Sequence, residues 1–104
     1  MVQALVTPEM QEQLVSEDEA RVLECMIDKL TRTNEAQKRI FLLTPEYLYL
    51  FARGRVVRRH KLSHFSAIVK STVSSEFVLV VPQGKDLRIS GMSEENFVSM
   101  QSFV

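Results

Sequence analysis

A series of short β-prone segments between residues 37 and 89, separated by tight turns, constrains the fold most. The first is an apolar run that ends at Pro45, and residues 47–51 then alternate, with aromatic side chains on one face and leucines on the other. A tight turn centred on Gly54 predicts a hairpin with the strand at 56–62. Strands are also predicted at 65–70, 77–81 and 87–89, with a loop at 72–75 and a turn at 82–85. This order is typical of an antiparallel sheet.

The N-terminal segment carries signals for the start of a helix. Thr7 is a candidate N-cap, Pro8 suits the first helical position, and Glu9 lies near the positive end of the helix dipole. Ser16 and Glu19 have the spacing of a capping box, which predicts a second short turn. We therefore expect a helical extension over residues 1–19. Its apolar residues, which could dock onto the sheet or form a partner surface, are Met1, Val2, Leu5, Val6, Met10, Leu14 and Val15.

The C-terminal segment predicts an amphipathic helix over residues 93–104. Ser93 is its N-cap, and two acidic residues follow in the first turn. The spacing places Phe97, Met100 and Val104 on one face. No linker or repeat interrupts the 104 residues, so we expect one α+β domain, with its sheet over residues 20–92 and the helix closing the sheet's open end.

The segment before the first clear strand has an ambiguous pattern. Leu23, Cys25 and Ile27 alternate as in a strand, whereas Leu23, Met26 and Leu30 fit a helical stripe. The pattern by itself narrowly favours a helix.

The formal net charge of zero conceals a strong asymmetry along the chain. Residues 1–28 carry seven acids and one base, a balance of −6, while residues 29–61 carry nine bases and two acids, a balance of +7. The other 43 residues sum to −1. A block this basic can create a local field that the total does not predict, provided that the fold gathers it.

The sequence offers no recognisable active site. Cys25 is the single cysteine, which excludes a disulfide scaffold, and no His-Asp arrangement accompanies it. His60 and His64 have no plausible third ligand for a metal. No apolar run is long enough for a transmembrane helix, and the N-terminus lacks the pattern of a signal peptide. We expect a cytoplasmic protein, free or associated with a membrane surface or the cytoskeleton, that is not an enzyme and has no cofactor.

A family resemblance extends from Val22 to Phe97. Its motifs are Lys29-x-x-Arg32-x-x-x-x-Gln37-x-Arg39-x-x-Leu42-Leu43-Thr44, Tyr47-Leu-Tyr49, Val57-x-Arg59, Phe65-Ser-Ala-Ile68 and Phe77-Val-Leu79. In these the chain resembles the tail homology 1 domain of class-I myosins, a member of the pleckstrin-homology-like superfold. The resemblance implies a bent antiparallel sheet or barrel of about seven strands, capped by a C-terminal helix. It also implies a strand rather than a helix at residues 22–32, and we adopt that prediction.

The resemblance further implies a binding site for anionic phosphoinositide head groups. In the family, a lysine on the first strand and an arginine on the second bind them at the open end of the sheet, and Lys29 and Arg39 occupy the matching positions. The loops at 33–37, 53–55 and 82–85 are expected to share that end. The rim of basic side chains predicted there comprises Arg32, Lys38, Arg53, Arg55 and Lys85. Arginine offers paired donors to phosphate and lysine a point charge.

Two other kinds of partner remain as alternatives. Glu35 and Gln37 stand where the family often has bases. The chain is therefore also compatible with a protein-protein interaction module of a cytoskeletal or trafficking assembly, in which lipid binding is weak or lost and the N-terminal helix or a sheet edge binds the partner. Nucleic acid is disfavoured because the basic block lacks interleaved exposed aromatic residues.

Overall fold

The computed structural model describes residues 5–104 and confirms the predicted sheet with its closing helix. Met1 and Val2 of the predicted N-terminal helix lie outside the described residues. A one-turn helix precedes seven strands and a C-terminal helix, and a 3₁₀ turn at Leu62–His64 follows the fourth strand. The elements are α1 (Pro8–Gln11), β1 (Leu23–Leu30), β2 (Ala36–Leu43), β3 (Tyr47–Ala52), β4 (Arg55–Lys61), β5 (Ala67–Lys70), β6 (Phe77–Val80), β7 (Leu87–Ser90) and α2 (Glu94–Gln101).

The strands form one antiparallel sheet in the order β4-β3-β2-β1-β7-β6-β5. This sheet is strongly bent. Arg58 on β4 donates a 3.1 Å hydrogen bond from Nη2 to the carbonyl oxygen of Lys85, in the loop between β6 and β7. Strand β4, at one end of the strand order, is thus bonded to the loop that joins β6 and β7 near the other end, so the sheet curves around a core.

Residues 23–30 form a strand, so the helix favoured by their local pattern is wrong and the strand implied by the family resemblance is confirmed. Cys25 and Ile27 contact the main core, whereas Met26 lies on the other face and is 45% exposed. An apolar residue on the exposed face makes the strand look like a helical stripe in sequence. Pairing with both β2 and β7 stabilises the extended form.

The inner core is closed by α2, as predicted. Ser93 caps the helix, because its Oγ accepts a 3.1 Å hydrogen bond from the amide of Asn96. Phe97 and Met100 are buried, and the Phe97 ring meets Phe77 edge-on with centroids 4.9 Å apart. Val104 packs against the same cluster.

Among residues 5–19 only Pro8–Gln11 is helical, so this described part of the predicted helix over residues 1–19 is mostly irregular chain. The predicted cap is present, since Oγ1 of Thr7 accepts a 3.2 Å hydrogen bond from the amide of Met10. Ser16 and Glu19 form the predicted turn, in which the Glu19 carboxylate accepts from the amide of Ser16.

The extension covers the outer face of the sheet. Its buried residues Val6, Met10 and Leu14 pack on a second apolar cluster formed by Leu42, Tyr49 and Phe51. The side chain of Gln13 bonds to the backbone of the β3–β4 hairpin, donating to the carbonyl of Gly54 at 2.6 Å and accepting from the amide of Val56 at 3.0 Å. Strand β3 is consequently buried on both faces, with its leucines inside and its aromatic residues outside.

Candidate anion-binding site

Three loops lie at one end of the sheet, here called the open end. The antiparallel register places the β1–β2 loop, the β3–β4 turn and the β6–β7 loop there, as expected. Arg88 on β7 fixes the first of these loops, because its guanidinium donates to the carbonyl of Thr31 at 3.0 Å and to Oδ1 of Asn34 at 2.8 Å. The β3–β4 turn has positive φ at Arg53 and Gly54, as two-residue hairpins of type I′ require.

Strand alternation directs two basic side chains to the inner face near this end. Lys29 shares the face of Cys25 and Ile27 on β1, and Arg39 shares the face of Phe41 on β2. Both are the residues at which the family resemblance places the head-group contacts. They stand where the apolar interior gives way to the open end.

A β-bulge brings a third cation, Arg58, to the same inner face. The register of β3 and β4 shifts between Leu50 and Phe51, so that Phe51 pairs with Val56 but Leu50 pairs with Arg58. Val56 packs on the outer cluster, and unbroken alternation would put Arg58 on that side too. The extra residue turns it inward. Sequence reasoning did not include Arg58 among the site residues.

Two of the inward cations, Lys29 and Arg58, line an open cleft of about 480 Å³, whereas Arg39 lies outside its lining. Its lining includes two bases from the loops predicted to form the rim, Arg32 and Lys85, together with Arg58. One acid, Asp86, also lines it, but its Oδ1 already accepts a 2.9 Å hydrogen bond from the amide of Val81. The complete lining is Lys29, Leu30, Thr31, Arg32, Arg58, Lys85, Asp86 and Arg88.

The cations of the cleft affect one another. Burial lowers the pKa of Lys29, and the positive charges of Arg58, Arg39 and Lys85 lower that pKa further. Burial also lowers the pKa of Arg58. Within residues 5–104, none of the four ion pairs includes any of these residues. A bound anion would therefore relieve repulsion that the protein leaves uncompensated.

Neutral acceptors hold the two inward arginines. Arg39 donates to its neighbour's carbonyl at Lys38, 2.7 Å away, and to Oε1 of Gln37 at 3.2 Å. Arg58 donates to Nε2 of His60 from Nε at 3.1 Å and from Nη2 at 2.8 Å. The guanidinium groups are thus oriented without being neutralised.

The remaining predicted site residues lie away from the cleft lining. Lys38 is on the opposite face of β2, where its Nζ is 3.3 Å from Oδ1 of Asp28. Arg53 and Arg55 are exposed at the β3–β4 turn, at the open end but outside the lining. The structure therefore gathers Lys29, Arg32 and Lys85 of the predicted set in the cleft lining and adds Arg58. Arg39 lies outside the lining, but its charge acts on Lys29.

Other features of the described chain offer less chemistry. A cavity of about 400 Å³ beside the 3₁₀ turn is lined by His64, Val81, Pro82 and Gln83, and so lacks a cluster of charge. Residues 5–104 contain no group of three or more His, Cys, Asp or Glu placed to hold a metal ion. None of the helices in this range has the length and apolar character needed to cross a bilayer.

No protein-family model and no curated protein sequence matches the chain. Three solved structures resemble its fold. The linker-DH/PH domains of p115-RhoGEF superpose with a TM-score of 0.67 at 11% identity, over 85% of this chain and 28% of that one. The N-terminal PH domain of human ARAP2 gives 0.64 at 17%, over 78% and 73%. The Vav1 exchange factor with its PH and C1 domains gives 0.62 at 16%, over 90% and 29%.

These neighbours establish the architecture. The chain spans less than a third of the p115-RhoGEF and Vav1 chains, but about three quarters of the isolated ARAP2 domain. All three structures contain a PH domain. This chain shares the PH fold, a bent seven-stranded sheet that is closed by a C-terminal helix.

Proposed function

We propose that this pleckstrin-homology-like domain is a non-catalytic adaptor that binds the phosphorylated head groups of anionic membrane lipids in the cleft at its open end. The observation that carries the proposal is the convergence of Lys29, Arg39 and Arg58 on one inner face, with Lys85 beside them and no carboxylate paired to any of the four within residues 5–104. Modules of this fold often bind lipids or proteins and are generally not enzymes.

The chemistry of the cleft suits a phosphorylated inositol ring. Such a head group carries several negative charges close together. It therefore complements a cluster of cations better than a ligand with a single carboxylate would. Arginine guanidinium groups donate paired hydrogen bonds to phosphate oxygens, and lysine adds a mobile point charge. The likeness of Lys29 and Arg39 to the head-group residues of class-I myosin tail homology 1 domains supports the same ligand.

The proposed location is the cytoplasmic surface of a membrane, to which the domain would bind peripherally and reversibly. Each base close to an anionic leaflet contributes on the order of 1 kcal/mol, and the attraction falls off within a Debye length. Exposed Arg53 and Arg55 at the open end would add to this non-specific attraction without touching the head group.

The test is co-sedimentation with phosphatidylcholine vesicles that contain or lack phosphatidylinositol 4,5-bisphosphate, at low and high salt. The wild type should sediment with the phosphoinositide vesicles, and a Lys29→Glu/Arg39→Glu double variant should remain in the supernatant. Arg59→Glu/Lys61→Glu is the matched control, because it reverses two exposed bases that alternate to the outer face of β4. Excess soluble inositol 1,4,5-trisphosphate should release the wild type. Equal behaviour of the wild type and the Lys29→Glu/Arg39→Glu variant would refute the proposal.

A second candidate function, protein binding, is favoured by the free edge of β5. This strand ends the sheet, and Val69 on it is 57% exposed. Such an edge can accept an added strand. A Val69→Lys variant would weaken a partner that adds there and leave vesicle binding intact, which separates the two functions.

A further inference from the structure

Most of the hydrogen-bonding capacity of Arg58 is used by the protein itself. Its Nε and Nη2 atoms both donate to Nε2 of His60, and Nη2 also donates to the carbonyl oxygen of Lys85 at 3.1 Å. A guanidinium has five N–H donors, so these bonds occupy three and leave the two on Nη1. The contacts come from β4 and from the β6–β7 loop, which fixes the group from two sides of the cleft.

His60 can accept these bonds only as a neutral ring. Its Nε2 must carry a lone pair, so its proton lies on Nδ1. The charged or titratable groups that face it are Arg58 on its own strand and His64 on the 3₁₀ turn, and the ring of Phe65 lies 5.3 Å away. Burial lowers the pKa of His60, and electrostatic interaction with Arg58 and His64 lowers it further.

We infer that His60 is a positioning residue of the anion site: as a neutral acceptor it holds the Arg58 guanidinium at the cleft, so that the free Nη1 donors are ready for phosphate. This inference rests on the proposed function. A long arginine side chain loses much rotamer freedom when a ligand fixes it, and a group that the protein already holds avoids that loss on binding. An aspartate or glutamate in the place of His60 would hold the arginine as well but would cancel its charge.

The pair is tested first without any ligand. Long-range proton–nitrogen NMR spectra report which ring nitrogen of a histidine is protonated. His60 should show an unprotonated Nε2 in the wild type at neutral pH, and an Arg58→Gln variant should shift the ring towards a mixture of tautomers. A proton on Nε2 of His60 in the wild type would overturn the inference, whatever the protein binds.

The second test measures binding to the phosphoinositide vesicles described above. His60→Leu removes the acceptor and should weaken binding about 3- to 10-fold, the range expected when one charged contact loses its positioning. His60→Gln restores a neutral acceptor and should recover binding to within about 2-fold, which loss of packing alone does not predict. His64→Leu is the matched control and should bind like the wild type.

The outcomes separate the two proposals. If the wild type does not bind, the proposed function fails and this role fails with it. If the wild type binds and His60→Leu binds equally well, the role of His60 fails alone. If His60→Gln is as weak as His60→Leu while circular dichroism shows both folded, the ring contributes packing against Phe65 rather than a hydrogen bond, and the inference is again overturned.

Discussion

The hydroxyl of Tyr49 donates a 2.7 Å hydrogen bond to Oε2 of Glu19 and accepts a 3.0 Å bond from the amide of Val15. One side chain on β3 thereby fastens two points of the N-terminal extension to the sheet. Oε1 of the same carboxylate accepts a 2.7 Å bond from Thr44, at the end of β2. Burial raises the pKa of Tyr49, so the hydroxyl keeps its proton at neutral pH.

Replacing Tyr49 with phenylalanine should lower the free energy of unfolding by about 1–3 kcal/mol, because the change leaves a carboxylate oxygen and a backbone amide without this partner. Urea denaturation measures the loss. Tyr47→Phe is the matched control, since its hydroxyl makes no hydrogen bond within residues 5–104, and it should change stability by less than about 0.5 kcal/mol. Equal losses for both variants would contradict the assignment.

Truncating Met10 should be costly although it lies in a helix of one turn. Met10 belongs to the extension and is buried between it and the outer face of the sheet, and Met→Ala changes in cores cost about 2–5 kcal/mol. Val15 in the same segment is 52% exposed, so Val15→Ala should cost less than about 1 kcal/mol. Thermal or urea unfolding of both variants checks this. A mild effect of Met10→Ala would mean that the extension is not docked in solution.

His60 should make the protein less stable as the solution is acidified. The folded state lowers the pKa of His60, whereas the unfolded chain has a value of about 6.5. Between these two values the unfolded chain binds more protons, so the free energy of unfolding falls as pH falls below about 6.5. Urea denaturation from about pH 7.5 to about pH 5 should show a steeper loss for the wild type than for His60→Gln. Parallel curves would refute this.

The thiol of Cys25 should react slowly in the folded protein. Burial raises its pKa from 9.0 to about 11, and the thiolate is the reactive form. The two-unit rise makes labelling by a disulfide reagent at about pH 8 roughly 100-fold slower than in urea-unfolded protein at the same pH. Because Cys25 is the single cysteine, the signal needs no assignment. Rapid labelling before unfolding would show that β1 opens.

Reversing the acid in the β1–β2 loop should strengthen lipid binding. Glu35 is exposed in the β1–β2 loop that also contains Arg32, and there its negative charge would repel the phosphates of the proposed ligand. Glu35→Lys changes the charge by two units, so vesicle affinity should rise about 5- to 30-fold at low salt and by less at high salt. Glu12→Lys, in the N-terminal extension, is the charge-matched control. Equal gains would show that overall charge, not the cleft, sets binding.

Local sequence signals predicted most of the fold. Pro8 and Ser93 correctly predict where the two helices begin, and Gly54 predicts the central hairpin. Each of the later β-prone runs overlaps a strand of the structure. These signals are short-range and depend on backbone geometry, so one sequence suffices to interpret them. Strand β1 needed the family resemblance, because Met26 adds an apolar residue to its exposed face.

The composition of the cleft was harder to predict, and Arg58 shows why. Its inward orientation depends on one extra residue in β4, and a shift of one residue reverses the face of every side chain beyond it. Val56, Val57 and Arg58 give no local sign of where that residue is inserted. Lys38 shows a second difficulty. Its strand was predicted correctly, but its ion pair with Asp28 depends on how β2 aligns with the neighbouring strand β1.

The double-sided burial of β3 has a practical consequence for anyone who shortens this protein. A version that starts after Glu19 would keep all seven strands and yet expose Leu42, Tyr49 and Phe51 together. A contiguous apolar surface of that kind promotes self-association. Sedimentation of a truncated sample would then report aggregation as well as vesicle binding. Centrifugation without lipid distinguishes the two.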